Sequence, residues 1–183
     1  MNIHTKLPNL YLLGFMGSGK STVGQRVAEL LYMRFLDGDI EISKKMGMSI
    51  AKVVENYGES YFRKLEQAFI ESEHPAEGCV VACGGGILTS DGMLEQLERK
   101  GVLICLLASA ETLLKRTEED YINIRPLLNG ASNRLERIKE LLTKRISLYN
   151  AVRLKIVTDD KAVDEVVGEA LEYYRSAICL KET

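Results

Sequence analysis

The 183-residue chain has no C-x-x-C pair, and its two histidines, His4 and His74, stand isolated in the sequence. Structural zinc is held by clustered thiolates and imidazoles, so no zinc site is expected. Three of the four cysteines, Cys79, Cys83 and Cys105, fall in apolar strand-like runs, where a free thiol behaves as a small hydrophobe in a reduced cytosolic protein. The fourth, Cys179, stands fifth from the end and matches no prenylation box. Charge of one sign is also lacking. Lys and Arg number 24 against 26 Asp and Glu, a net charge of −2 with a pI near 5.8, which argues against a phosphate-backbone surface and so against nucleic acid as a partner. No apolar run nears the roughly 20 residues that a membrane-spanning helix needs, and residues 1–9 lack an apolar signal core. A cytoplasmic protein without membrane contact is expected. Three prolines are few, and no repeat, low-complexity tract or interdomain linker divides the chain.

What is present begins at Leu10, where an apolar run leads into Gly14-Phe15-Met16-Gly17-Ser18-Gly19-Lys20-Ser21. This is G-x-x-x-x-G-K-S, whose glycines let backbone N–H groups turn inward around a phosphate chain, whose lysine adds positive charge, and whose serine offers a hydroxyl to Mg²⁺. Such a motif has meaning only between a strand and a helix. Behind it Val23, Val27, Leu30 and Leu31 recur at helical spacing. The pattern points to a nucleoside triphosphate as ligand.

Further β-type runs at 35–36, 79–82, 102–106 and 154–157 alternate with helical periodicity. That alternation predicts an α/β fold with a five-stranded parallel sheet and helices on both faces, because parallel strands need crossover connections. In open sheets of this kind ligands bind beyond the carboxyl ends of the strands, so residues 14–21, 37–39 and 84–86 should converge on one cleft. With 46% hydrophobic residues, the whole of 1–183 suits a single domain. Residues 40–73 exceed one crossover helix and read as several, with Ser49 as a cap and Gly47 and Gly58 as breaks; about 40–75 is a candidate segment for a second substrate. From 118 to about 132 the sequence turns polar, with Asn123, Pro126 and Gly130 as breakers, the best lid candidate. The helix expected over 162–174 carries Val163, Val166, Val167, Ala170, Leu171 and Tyr174 on one stripe for packing. No extended apolar stripe is left for an interface, which favours a monomer.

Several residues could carry chemistry. Asp37 and Asp39, two apart at a strand end, would aim to the same side if extended, one toward Mg²⁺ and one toward a substrate hydroxyl; alternatively Asp-Gly-Asp is a turn with capping carboxylates. Arg63 has Glu66 at i+3, which makes either a surface ion pair or an anion-binding fork preorganised beside Phe62. Arg145 lies on or beside the apolar stripe of Ile138, Leu141, Leu142 and Tyr149. It needs a carboxylate partner or an anionic ligand, unless it snorkels to solvent. Gly84-Gly85-Gly86 permits close backbone approach or a loose turn. Arg116 and Arg125 flank the lid candidate, where an arginine could neutralise charge on a transferring phosphoryl group.

Taken together, GFMGSGKST at 14–22, LDGD at 36–39, GESYFRKLE at 58–66, VVACGGG at 80–86, and IRPLL at 124–128 followed by KRISLY at 144–149 resemble the shikimate kinase family, in the family's order and across about 10–157. F-R-x-x-E, the triple glycine and R-P-L-L together are specific to it. The resemblance implies a three-layer P-loop kinase fold and transfer of the γ-phosphoryl group of ATP to the 3-hydroxyl of shikimate, a step toward chorismate and the aromatic amino acids. It implies that Gly17, Ser18, Gly19, Lys20, Ser21 and Thr22 hold ATP, and that Ser21 and Asp37 hold Mg²⁺. Asp39 would bind the acceptor hydroxyl and act as base. Arg63 and Arg145 would clamp the shikimate carboxylate beside Gly84, Gly85 and Gly86. Arg125 would close over the phosphates, and Arg116 would lie against adenine. Gly38 stands where the family more often has Thr or Ser, and Cys83 where Thr is common; the smaller residue at 38 is expected to loosen the Asp37 and Asp39 backbone. The adenine-side loop near 158–161 is too variable for the resemblance to assign its residues.

Overall fold

The computed structural model describes residues 7–119 and 133–180. Five strands form one parallel sheet: β1 Asn9–Gly14, β2 Arg34–Asp37, β3 Cys79–Ala82, β4 Gly101–Leu107 and β5 Leu154–Val157, in the order β2-β3-β1-β4-β5. Every run expected from the sequence is a strand. The helices are α1 Lys20–Leu31, α2 Gly38–Met46, α3 Ile50–Tyr57, α4 Glu59–Ser72, α5 Met93–Lys100, α6 Ala110–Glu119, α7 Arg134–Ala151 and α8 Val163–Cys179, with a 3₁₀ turn at Ile87–Thr89.

β1 is buried along its whole length, which explains its unbroken apolar sequence. Successive side chains of a strand point to opposite faces. Leu10, Leu12, Val80, Val102, Ile104 and Leu106 therefore pack with Val23 and Val27 of α1 and Val166, Val167, Ala170 and Tyr174 of α8. Tyr11, Leu13, Val81, Leu103 and Cys105 face the other way, against Ile42, Val53, Phe62, Phe69, Leu97, Leu113, Ile138 and Tyr149. The result is three layers with a core on each side of the sheet.

Two details differ from the sequence reading. Leu30 is half exposed, and the buried stripe of α1 runs through Val23, Gly24, Val27 and Ala28. α8 runs to Cys179, and its first residue, Val163, is exposed. Residues 40–73 do form three helices. Ser49 caps α3 by accepting from Lys52 N, and Gly47 and Gly58 end helices with φ of 64° and 84°. Of the lid candidate, Glu118 and Glu119 complete α6; residues 120–132, with Arg125, lie outside the described residues, as does His4.

His74 is not isolated in space. Its Nε2 lies 3.3 Å from Tyr11 Oη and its ring meets Phe69 edge-on. Asn9, fully buried beside it, donates to Pro75 O and accepts from Cys79 N, tying β1 to the start of β3 at the end of the sheet opposite the glycine loop. Cys79, Cys83 and Cys105 are free, buried thiols; Cys179 is free and exposed. Among the described residues no helix is long and apolar enough to cross a membrane.

Candidate active site

The chain turns from β1 to β2 by way of α1, then places β3 between them and β4 on the far side of β1. The connection from β1 thus runs to one side of the sheet and that from its neighbour β3 to the other, and the crevice between their carboxyl ends is where open α/β sheets bind ligands. Residues 14–21 sit in that crevice. Gly17 and Gly19 adopt φ of 78° and 97°, left-handed values that L side chains rarely take, so the tight loop requires glycine. Lys20 is the first residue of α1, and its Nζ donates to Gly14 O at 3.0 Å and Phe15 O at 2.8 Å, folded back over the loop. Ser18 is buried, and its Oγ has no hydrogen-bond partner among the described residues.

A cleft of about 650 Å³ opens over this loop. Gly17, Ser18, Gly19, Lys20, Ser21 and Thr22 form its floor, Asp37, Asp39, Cys83 and Gly85 one wall, and Arg116, Thr158 and Lys161 the far wall. The three post-strand segments thus converge as their positions predicted.

Asp37 and Asp39 reach the cleft by a different route from the extended one. Asp37 ends β2 and is the N-cap of α2, its Oδ1 accepting from Asp39 N and Ile40 N, while Asp39 is already helical. The same carboxylate also ties α2 to the glycine loop, because Asp37 Oδ2 accepts from Ser21 Oγ at 2.7 Å. Gly38 has no positive φ, and a Cβ there would meet Ala82 O and the Phe69 ring at 3.5 Å, ordinary contact distances. The glycine is not required by space, and the two aspartates are held by the cap.

At the other end of the wall, α4 brings Arg63 and Glu66 together. Arg63 donates to Glu66, an almost fully buried carboxylate, and to Glu59 at 2.8 Å, with Phe62 under its guanidinium at 5.2 Å. This is no surface pair. Burial pushes the Glu66 carboxyl up to about 7 even though Arg63 draws it down, and the neighbouring Asp39 adds to the rise. Arg145 is 6% exposed, so it does not snorkel. Its Nη1 donates to Gly85 O at 3.3 Å, its guanidinium lies 5.7 Å from the Phe15 ring centroid, and no carboxylate among the described residues forms an ion pair with it. Tyr149, one turn later on α7, donates to the same Gly85 O at 2.6 Å.

The triple glycine is explained by these neighbours. A Cβ on Gly84 would occupy the space of the Glu66 carboxylate, one on Gly86 that of the Arg63 guanidinium, and one on Gly85 would press on Met16 N at 3.3 Å. The close approach is made by the protein's own charged groups. Arg116, on the far wall, donates to Thr158 Oγ1 at 2.9 Å and to Thr158 O at 2.7 Å.

Glu66, Tyr149, Thr158 and Lys161 belong to this site or its supports and were not among the residues assigned to it from sequence. Glu66 was read only as the partner of Arg63 and Tyr149 only as part of the α7 stripe, although both stood inside the quoted F-R-x-x-E and KRISLY segments. Thr158 and Lys161 stood at the bounds of the adenine-side loop, where the resemblance assigned no residue.

A P-loop kinase fold with its glycine loop at the cleft floor, and a buried guanidinium close by, places the chain among ATP-dependent small-molecule kinases. Residues 16–175 match the family model for shikimate kinase. The chain belongs to the shikimate kinase family. A shikimate kinase of Caldanaerobacter subterraneus is 38% identical over 168 residues, 92% of this chain and 96% of that one. The structure of a shikimate kinase from Acinetobacter baumannii in complex with shikimate aligns with a TM-score of 0.85 at 37% identity, covering 93% of this chain and 94% of the other. A gluconokinase from Sinorhizobium meliloti aligns at 0.58 with 17% identity, over 93% of each chain, a likeness of fold alone.

Proposed function

We propose that this protein transfers the γ-phosphoryl group of ATP to the 3-hydroxyl of shikimate, giving shikimate 3-phosphate and ADP, a step toward chorismate and the aromatic amino acids. One observation carries the choice of acceptor: Arg145, buried without an ion pair among the described residues, stands with Arg63 beside the phosphate loop. A buried guanidinium is costly unless an anion reaches it, and the carboxylate of shikimate supplies one.

Gly17 to Thr22 hold the ATP phosphates, with Lys20 leaving its loop carbonyls for the β- and γ-phosphate oxygens. Ser21 Oγ and Asp37 Oδ2, 2.7 Å apart, are a hydroxyl and one carboxylate. This set suits Mg²⁺ shared with nucleotide phosphates, because that ion keeps several waters and takes few protein ligands. Bound there, Mg²⁺ would neutralise charge on the phosphate oxygens. Asp39 holds the acceptor hydroxyl and takes its proton. Arg63 and Arg145 clamp the carboxylate, with Gly84, Gly85 and Gly86 at the wall between them. Arg116 lies against adenine. Arg125, outside the described residues, is the arginine that would neutralise charge on the transferring phosphoryl group. Transfer then needs alignment and charge stabilisation more than covalent chemistry. The chain acts as a cytoplasmic, single-domain monomer.

The test is ADP release from ATP and Mg²⁺ with and without shikimate, with Lys20→Ala as the blank and gluconate as the competing acceptor. Strong shikimate-dependent release supports the assignment. Turnover of gluconate but not shikimate overturns it.

A further inference from the structure

The resemblance puts the loop after β5 on the adenine side without assigning its residues, and that loop is tied down by several side-chain hydrogen bonds. Asp159 Oδ1 accepts from Ser109 N at 3.0 Å, from Ser109 Oγ at 2.6 Å and from Thr112 Oγ1 at 2.6 Å, and its Oδ2 accepts from Ser109 N at 3.1 Å. These donors lie at the start of α6. Thr112 and Arg116 are i and i+4, so they share a helix face, and one turn on Arg116 grips Thr158 through two donors. Thr158 itself is buried and donates through N and Oγ1 to Leu107 O.

The loop is held on its other side as well. Lys161 pairs with Glu169 of α8 at 2.5 Å, and between the two fastenings Asp160 has φ of 54°, a left-handed conformation unusual for a residue other than glycine. Arg116, Thr158 and Lys161 line the cleft, whereas Asp159 does not. Desolvation acts to raise the Asp159 carboxyl, but the hydrogen bonds from Ser109 and Thr112 outweigh it and keep the group below its ordinary value. It therefore stays a charged acceptor at neutral pH.

We propose that Asp159 is a positioning residue for the nucleoside part of ATP: it clasps the loop onto α6 so that Thr158 and Arg116 stand as a preset wall for the base. The proposal rests on the reading of this cleft as an ATP site. Preorganisation of this kind lowers the ordering cost of binding and so acts on nucleotide affinity more than on the chemical step. Asp159 bonds to Ser109 and Thr112 and to none of Asp39, Arg63 or Arg145, so acceptor binding should not feel it.

The experiment is calorimetric titration of the full chain with MgATP and, separately, with inorganic tripolyphosphate, which lacks the nucleoside. Asp159→Ala should raise the Kd for MgATP about tenfold while tripolyphosphate affinity stays within about twofold. Asp159→Asn, which keeps an acceptor oxygen, should recover part of the loss. In turnover, KM for ATP should rise with kcat and KM for shikimate nearly unchanged. Thr112→Val removes one bond with little change of shape and should give a smaller shift of the same kind, which covers the case in which Asp159→Ala fails to fold. Equal loss of MgATP and tripolyphosphate, or a lowered Tm with both affinities intact, would overturn the positioning role. Absence of MgATP binding by the unaltered chain is a separate result, which would overturn the nucleotide reading and this inference with it.

Discussion

The proposed phosphate end of the site is made by the consecutive residues 14–22 at the cleft floor, whereas the proposed acceptor end beside it draws Asp39 from α2, Arg63 and Glu66 from α4, Gly85 from the turn after β3 and Arg145 from α7. The first is largely backbone, its shape set by glycines at positive φ and by the start of α1. The second is a set of buried charges held by one another, by Phe15 and Phe62, and by the Gly85 carbonyl. A backbone cradle tolerates change in its surroundings because its geometry is local. A cluster of buried charges depends on every member, since removing one leaves the others without compensation.

Substitutions can break that contrast in order of size. Asp39→Asn should lower kcat about 10²- to 10⁴-fold, the range for loss of a general base, with little change in ATP affinity or Tm; steady-state kinetics beside thermal melts read it directly. An unchanged kcat would remove Asp39 from proton transfer. Arg145→Ala should raise KM for shikimate by about 2–5 kcal/mol in equivalent free energy while the Kd for MgATP barely moves, because a charge pair desolvated at the acceptor end alone is lost. Equal loss of both ligands would mean that α7 had shifted and that the two ends are not independent.

A pH series on Glu66 sharpens the comparison further. Its carboxyl is raised to about 7 in the folded chain, chiefly by burial. Between the ordinary carboxylate value and 7 the folded state thus binds more protons than the unfolded one, so this group's contribution to stability falls as pH rises through that window. Between pH 5 and 8 the loss should be about 2–3 kcal/mol, and Glu66→Gln should flatten that part of the slope in denaturant melts. A slope identical in both proteins would show that the buried carboxylate stays ionised throughout. The smallest effect is expected at Gly38, where a Cβ has room and φ is not positive. Gly38→Ala should stabilise the fold by about 0.4–1 kcal/mol through the unfolded chain, with kcat unchanged. Gly86→Ala, at a superficially similar glycine, should instead displace Arg63 and raise KM for shikimate.

The two ends also differed in how far they could be read in advance. Residues 14–22 announce their purpose in order, because each residue type answers a local demand of the phosphate loop. Arg145 was legible as an anomaly, a charge on an apolar stripe, but its neighbours Gly85 and Phe15 could not be named from spacing. Asp37 and Asp39 were placed in the right cleft for an incomplete reason, since α2 begins one residue after Asp37 and the extended geometry ends there. Glu66 could be read either as a surface partner for Arg63 or as the holder of an anion-binding fork, because an i+3 spacing says nothing about which face of α4 is covered; the glycines after β3 cover it. Asp159 gave no signal, because its donors are about fifty positions away in α6 and only the pairing of β4 with β5 brings them near.

By itself, then, the order of apolar runs, glycines and helical stripes determined the parallel sheet, the place of the cleft at its carboxyl edge, and the phosphate loop, because periodicity and φ demands act over a few residues. Tertiary structure alone decided that Glu66 would be buried against Asp39 and Arg63, that the three glycines after β3 would make room for those charges, and that Asp159 would fasten the far wall. Burial and long-range hydrogen bonding depend on which surfaces the folded layers press together, and no short stretch of chain contains that information.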